Sequence, residues 1–268
     1  MRQINDLKEL RKIQMDILSY VDKFCCENKI IYSLAGGSML GAVRHKGYIP
    51  WDDDIDIFMP RNDYDNFVEL FSKSHHPYYR VITAHNTKGY YQPYANVSDD
   101  RTIIHEVGIE REVHEGVNID IFPIDFVPEN PNSQKSIIKK ELFLRDLFTI
   151  KGLKWESKRS IMKNLFMAVS KFVLLPVRRK WLSRRIELLA KNACKEYSSK
   201  SACLVWGIGI KIMKTSIYEN YQDWNFEDRI YKGVVDYDAY LSSLYHNYME
   251  LPPIEKQISH HVFEAYWK

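Results

Sequence analysis

The sequence has little cysteine and no long apolar run. Its four cysteines are Cys25, Cys26, Cys194 and Cys203. They form no Cys-x-x-Cys motif, so neither a zinc site nor a disulfide framework is expected. No stretch approaches the roughly 18 apolar residues that span a bilayer, and charges between Asp6 and Lys12 interrupt the N-terminal apolar positions, so we expect no export signal. Internal repeats and low-complexity tracts are also lacking. These absences predict a cytoplasmic globular protein.

Charge is nearly balanced over the 268 residues but unevenly placed. The net charge is +3, whereas residues 151–187 contain 11 Lys or Arg and 2 Glu, a net of +9. Apolar residues recur there at helical spacing: Ile161, Met162, Leu165, Phe166, Val169, Phe172 and Val173. This pattern indicates either peripheral contact with an anionic inner membrane surface or an ordinary helix that buries one face. Since the segment lacks a nucleic-acid recognition motif, no nucleic-acid partner is expected.

The spacing of apolar residues predicts an α+β protein with a mixed sheet and flanking helices. Helices are predicted near the N-terminus, from Ser38 to Arg44 after a Gly36-Gly37 turn, and from Asn62 onward. Strands are predicted at 29–35, 52–59, 79–84, 93–98, 102–107 and 117–127. After a turn-rich linker at 127–133 the pattern is mostly helical, with a last helix beginning at Pro252. We therefore predict a mixed α/β core at 1–128 and a helical lobe at 129–268 that completes the same domain.

An acidic cluster, WDDDID at 51–56, lies among apolar residues. On a strand, Asp52, Asp54 and Asp56 would share one face. Carboxylates roughly 6–7 Å apart repel by about 2–3 kcal/mol per pair at an effective dielectric of 20. Asp120 has the same surroundings, and it would join them if its strand paired alongside. Oxygen ligands suit hard cations, so Asp54, Asp56 and Asp120, with Asp52 in addition, are predicted to hold Mg²⁺ or Mn²⁺. If Asp120 is not the third carboxylate, Asp125 or Asp52 is the next candidate.

The stretch Gly36-Gly37-Ser38 precedes this cluster at the start of a predicted helix. Glycines let a ligand approach the backbone, and the N–H groups at a helix start attract anions. Alone, this motif indicates only a turn. Combined with an acid-x-acid strand, it favours phosphoryl or nucleotidyl transfer.

Three blocks of the sequence resemble one family. They are GGSMLGAVRHKGYIPWDDDIDIFMPR at 36–61, NIDIFPID at 118–125 and YDAYLSSLYHNYMELPPIEKQISHH at 237–261. The arrangement is similar to the nucleotidyltransferase fold of DNA polymerase β, and more narrowly to the LicD family of bacterial enzymes that attach phosphocholine to surface glycans. The third block departs from the family's Tyr-Gly-Asp at Tyr245-His246-Asn247.

The resemblance implies a metal-dependent phosphotransferase. Such an enzyme moves phosphocholine, or a similar group, from a CDP-linked donor to a hydroxyl of a sugar or glycolipid acceptor in capsule, lipopolysaccharide or teichoic acid, and it releases CMP. By this resemblance, Asp54 and Asp56 would hold the metals, and Asp120 would orient or deprotonate the acceptor hydroxyl. Gly36, Gly37 and Ser38 would hold the donor phosphates.

Other assignments stay open at this point. Arg44 and Lys46 are either phosphate contacts or surface residues. The tyrosines of "YYQPY" at 90–94 could offer aromatic faces to choline, or they could be packing residues. The acidic motif also fits a transferase that adds a nucleoside monophosphate from NTP to a small molecule, and the chain could be a catalytically silent accessory of glycan assembly.

Overall fold

The computed structural model describes residues 1–106, 115–153, 160–207, 209–259 and 263–268. Within them the helices are α1 (Leu7–Asn28), α2 (Gly36–Arg44), α3 (Arg61–Lys73), α4 (Pro131–Gly152), α5 (Ile161–Val173), α6 (Arg179–Lys191) and α7 (Tyr237–Tyr245). The strands are β1 (Arg2–Ile4), β2 (Ser33–Leu34), β3 (Asp56–Pro60), β4 (Tyr79–Ile82), β5 (Ala95–Asp99), β6 (Thr102–Glu106), β7 (Asn118–Phe126), β8 (Lys200–Ala202), β9 (Met213–Lys214), β10 (Tyr221–Phe226), β11 (Arg229–Val234) and β12 (Phe263–Trp267). The predicted α+β class is confirmed.

A seven-stranded mixed sheet forms the centre, with β2, β3, β7, β5 and β4 in that order. β3 and β7 are parallel, while the other pairs are antiparallel. β7 is nine residues long and also pairs with β8, which pairs with β9. A second sheet has the order β1-β12-β6, and β10 and β11 form a hairpin. The longest strand, β7, therefore pairs with three neighbouring strands: β3, β5 and β8.

Helix α1 covers the central sheet because its apolar positions follow helical spacing. Leu10, Ile17 and Val21 are buried on that face. Asp6 caps the helix by accepting a hydrogen bond from the Lys8 N–H. Each such buried side chain contributes about 1.5–3 kcal/mol of hydrophobic stabilisation. α1 thus holds one face of the sheet rigid.

The strand predicted at 52–59 begins only at Asp56. The backbone before it bonds to side chains of α1 instead of to a neighbouring strand. The Arg11 guanidinium donates to the Ile49 and Asp52 carbonyls, at 2.9 and 2.6 Å, and the Gln14 amide donates to the Asp53 carbonyl at 2.9 Å. Residues 52–55 are therefore a loop anchored on α1. The other predicted strands are present with ends shifted by a few residues, and residue 107 lies outside the described residues.

The expectation of a mostly helical second half is confirmed for α4 to α7 and wrong elsewhere. Five strands, β8 to β12, lie beyond residue 129. The helix predicted from Pro252 is also wrong: residues 254–256 form one 3-10 turn, and β12 follows. β12 pairs with β1 and β6. Because these partners lie far away in sequence, the local pattern of residues near Pro252 does not indicate a strand. The boundary at residue 128 stays a prediction, although β8 and β12 join sheets of the first half.

Candidate active site

Asp56 and Asp120 lie side by side on the parallel strands β3 and β7, where they are register partners. Neighbouring strands are about 4.8 Å apart, so both side chains project from the same face of the sheet. The Asp120 N–H donates to the Ile55 carbonyl at 2.9 Å, which extends this pairing by one step. The condition under which Asp120 is expected to join the acidic cluster, a strand paired alongside that of Asp56, is met.

The Asp56 carboxyl group lies in a strongly unfavourable electrostatic setting. Burial raises its pKa well above the ordinary value, and the negative charges of Asp54, Asp120 and Asp52 raise it further. Burial and like charge both disfavour the ionised form. A bound cation would remove the repulsion and return the group to its carboxylate form.

The preceding loop adds a second acidic group. Carboxylate oxygens of Asp52, Asp53 and Asp54 lie within 4.8 Å of one another. The expectation that Asp52 and Asp54 share a strand face with Asp56 is wrong, because residues 52–55 are not in a strand. The loop nevertheless keeps Asp52 and Asp54 close enough to act on the Asp56 pKa. Asp53, which strand alternation assigned to the other face, is buried and accepts a 2.5 Å hydrogen bond from the Ser259 hydroxyl.

The two glycines start helix α2, whose N-cap is Ala35. Gly36 has φ +47°, and a Cβ there would lie 2.6 Å from the Trp206 ring. A Cβ on Gly37 would lie 2.8 Å from a carboxylate oxygen of Asp52. Gly36 therefore needs to be glycine, whereas a side chain at position 37 would require the Asp52 carboxylate to move. The two glycines bring the helix start against the acidic cluster.

Ser38 has a different role from the predicted cap. Its hydroxyl is buried and accepts a 2.9 Å hydrogen bond from the Asp56 N–H. This bond joins the first turn of α2 to the first residue of β3. Ser38 thereby fixes the distance between the glycine backbone and the acidic strand.

Two aromatic residues of the second half complete the helix start, and the sequence analysis missed both. The Tyr240 hydroxyl accepts a 3.0 Å hydrogen bond from the Gly36 N–H. Burial raises the Tyr240 pKa well above its ordinary value, which keeps the hydroxyl neutral. Trp206 covers Gly36, and its ring lies 4.7 Å from that of Phe122. The available signal for Trp206 was Gly207, which has φ +94° and marks a tight turn.

Arg44 lies on the wall of a cleft beside the acidic cluster. Its guanidinium donates to the Tyr248 and Glu250 carbonyls, at 2.6 and 3.2 Å. Tyr245 links the cleft to the cluster: burial raises its pKa, and the charges of Asp56, Asp52 and Asp54 raise it further. The cleft has a volume of about 790 Å³, and its lining includes Leu40, Arg44, Trp51, Tyr245, Pro252 and Lys256.

Other candidate residues lie elsewhere. Lys46 is exposed in a left-handed turn, with its ammonium 5.9 Å above the centroid of the Trp224 ring. Asp125 is five residues beyond Asp120 and so faces the opposite side of β7. Its two oxygens accept from the Arg61 guanidinium at 2.6 and 2.8 Å, which is a buried structural ion pair rather than a third metal ligand. Tyr90 is fully buried and donates to the Asn96 side chain, so it offers no face to a ligand.

The fold and the site define an α+β protein whose acidic centre lies on two parallel strands beneath a glycine-rich helix start. A family model described as "LicD/FKTN/FKRP, nucleotidyltransferase domain" matches residues 29–147. The lipopolysaccharide cholinephosphotransferase LicD of Haemophilus influenzae is 30% identical over 263 residues, which cover 97% of each chain. The chain belongs to the LicD family.

Two shorter similarities involve proteins of Rickettsia. An uncharacterized protein of Rickettsia typhi is 30% identical over 128 residues, 48% of this chain and 38% of the relative. An uncharacterized protein of Rickettsia prowazekii is 51% identical over 37 residues, 14% of each chain. Only the Haemophilus similarity, among these three, extends over Trp206, Tyr240 and Tyr245 as well as the acidic strands.

Proposed function

We propose that this protein transfers phosphocholine, or a related CDP-carried phospho-substituent, to a hydroxyl of a cell-surface glycan and releases CMP. The observation that carries the proposal is the pairing of Asp56 with Asp120 beneath Gly36 and Gly37. The end-to-end similarity to the cholinephosphotransferase of Haemophilus influenzae supports the choice of transferred group and of a glycan acceptor. A cytoplasmic location, where CDP-linked donors would be available, is part of the same proposal.

The residues fit a divalent cation of the magnesium or manganese type. The donor set is formed by carboxylate oxygens alone, which hard cations prefer. Asp54, Asp56 and Asp120 would hold the ion, with Asp52 as a further ligand. The raised pKa of Asp56 supports this assignment, because a cation compensates the repulsion that raises it. When bound, such an ion supplies charge neutralisation for the transferring phosphoryl group.

Asp120 is proposed to act on the acceptor hydroxyl. The hydroxyl oxygen attacks the phosphorus that carries choline, and the bond from that phosphorus to the bridging oxygen breaks. CMP leaves with the bridging oxygen, while the hydroxyl proton passes to Asp120. The Asp120 N–H is fixed by the Ile55 carbonyl, and its strand is paired on both sides, so the carboxylate is held in place for this role.

The start of α2 and the adjacent cleft are proposed to hold the donor. Gly36 and Gly37 carry no side chains of their own at the start of α2, and a helix N-terminus favours phosphate. Tyr240 accepts from one glycine N–H and so fixes the orientation of that turn. Arg44, which the Tyr248 carbonyl holds at 2.6 Å, would contribute positive charge at the mouth of the cleft.

The proposal is tested by incubating purified protein with a panel of CDP-linked donors, a glycan acceptor and Mg²⁺, Mn²⁺ or EDTA. CMP release with at least one CDP-linked donor, dependent on metal and abolished by Asp56→Asn, is the expected result. Pyrophosphate release from an NTP in the same assay would instead identify a nucleotidyltransferase. An absence of turnover with every donor would favour an accessory role in glycan assembly.

A further inference from the structure

Helix α5 is amphipathic, but its apolar face is exposed to solvent. The large apolar side chains that the structure describes on this helix point away from the protein: Met162, Phe166 and Phe172 are 82, 71 and 73% exposed. The polar side chain of Asn164 is instead buried. An ordinary surface helix does the opposite, since it buries its apolar stripe. The interpretation of residues 161–173 as a helix that packs its stripe inside is therefore wrong.

The exposed surface is continuous and large for one short helix. Its described members that are more than half exposed are Met162, Leu165, Phe166, Val169, Phe172 and Val173, and the exposed Leu175 follows two residues beyond the helix. Single exposed apolar residues are common on soluble proteins, but a contiguous group of this kind marks an interaction surface. α5 therefore presents an apolar face for a partner.

Charge identifies the kind of partner. The segment 151–187 carries a net charge of +9, and three exposed arginines follow α5: Arg178 just before α6, and Arg184 and Arg185 on α6. A second copy of this chain would bring a +9 segment against an identical one, which is unfavourable. An anionic lipid surface offers the opposite charge to the arginines and an apolar layer to the phenylalanines.

The length of α5 determines how it would lie. Its 13 residues measure about 20 Å along the axis, which is less than the roughly 30 Å apolar core of a bilayer. No helix in the described part of the chain is long and apolar enough to cross a membrane. α5 would accordingly lie in the plane of the interface.

We infer that α5 docks this protein on an anionic bilayer surface, with its phenylalanine-bearing face in the lipid and the arginines that follow it at the headgroups. Helix α4 joins this surface to the active site. Near one end, the Lys151 ammonium donates to the Leu174 carbonyl at 3.0 Å. Further along, the Arg145 guanidinium donates to the Val205 carbonyl at 2.6 Å, next to Trp206. Docking through α5 would thus hold Trp206, which covers Gly36 in the candidate active site, at a fixed position relative to the membrane.

The test is co-sedimentation of the full chain with two kinds of vesicle. One is phosphatidylcholine alone, and the other is phosphatidylcholine with about one third phosphatidylglycerol. We expect binding to the anionic vesicles only, and binding that weakens as salt rises. The double variant Phe166→Gln/Phe172→Gln should lose at least about tenfold in affinity, because each ring no longer enters the lipid. Arg184→Gln/Arg185→Gln should lose roughly fivefold per charge.

Matched controls separate this surface from general effects. Ile230→Gln/Ile254→Gln removes two exposed apolar side chains elsewhere, and Lys12→Gln/Lys23→Gln removes two exposed charges on α1. Both controls should bind vesicles like the wild type. All substituted side chains are exposed, so thermal melts should agree with the wild type. Equal sedimentation with both vesicle types, no binding, or equal losses in the controls would overturn the inference. So would a wild-type dimer that Phe166→Gln/Phe172→Gln converts to a monomer.

Discussion

Replacing Asp56 with Asn should make the metal-free protein more stable while abolishing its activity. The Asp56 carboxyl is buried beside Asp54, Asp120 and Asp52, and these surroundings raise its pKa well above the ordinary value. Asn has nearly the same shape but no charge. The substitution therefore removes the cause of the repulsion and leaves the packing of β3 unchanged.

The magnitude follows from the separation of the carboxylates. One pair about 5 Å apart interacts by about 3 kcal/mol at an effective dielectric of 20. Because solvent and side-chain relaxation reduce this energy, we expect a net gain of about 2 kcal/mol in the free energy of unfolding, or about 4–8 °C in Tm. In the wild type the folded state holds the Asp56 proton more tightly than the unfolded state does. Wild-type stability consequently falls as pH rises from the unfolded pKa of about 4 through the raised folded value.

Calorimetry in EDTA at pH 4 and pH 7.5 measures this directly. Asp56→Asn should exceed the wild type at pH 7.5 and match it at pH 4, whereas Asp228→Asn, at an exposed position, should show no gain. Adding Mg²⁺ should reverse the order, because ligand at 100 times its Kd stabilises the wild type by about 2.7 kcal/mol. A variant that is less stable than the wild type in EDTA, or that gains equally from Mg²⁺, would refute the acidic metal site.

Three further substitutions probe separate parts of the structure. Asp120→Asn keeps the two main metal ligands, Asp54 and Asp56, so it should still bind the CDP-linked donor with Mg²⁺ in a calorimetric titration, while single-turnover transfer falls roughly 10²- to 10⁴-fold, the range for a lost general base; a parallel loss of donor binding would show that Asp120 acts mainly as a metal ligand and not as the base. Gly37→Ala should displace the Asp52 carboxylate, since a Cβ would lie 2.8 Å from its oxygen, and should lower Mg²⁺ affinity at least about tenfold with little change in Tm. Arg61→Met leaves the buried Asp125 unpaired and should lower the free energy of unfolding, measured in urea, by about 3–5 kcal/mol. The double variant Arg61→Met/Asp125→Leu should recover most of this loss, and equal stability of the two variants would contradict a stabilising role for the ion pair.

The acidic centre was predictable because its pattern is local. Apolar residues flank Asp56 and Asp120 at strand spacing, and this alternation predicted two half-buried strands before any pairing was known. Whether the two strands pair is a condition that local spacing leaves open, and the structure meets it, since Asp56 and Asp120 are register partners on β3 and β7.

Long-range contacts account for what the sequence did not predict. The loop before Asp56 has the composition of a strand, but Arg11 and Gln14 bond to its carbonyls from α1. Similarly, the approach of Trp206 to Gly36 depends on the path of the chain over some 170 residues. Spacing rules describe one element at a time, so they carry no information on such encounters.

The second half of the chain contributes residues to the candidate active site. Tyr240 fixes the Gly36 N–H, Ser259 donates to Asp53, and the Tyr248 carbonyl holds Arg44. Each contact links a residue of the acidic, glycine-rich first half to a partner about 200 positions later. A catalytic centre assembled in this way tolerates little misplacement, since a shift of about 1 Å in a positioning group can cost roughly 100-fold in rate. The full-length similarity to the Haemophilus influenzae protein, which extends beyond residues 29–147, agrees with a site built from both halves.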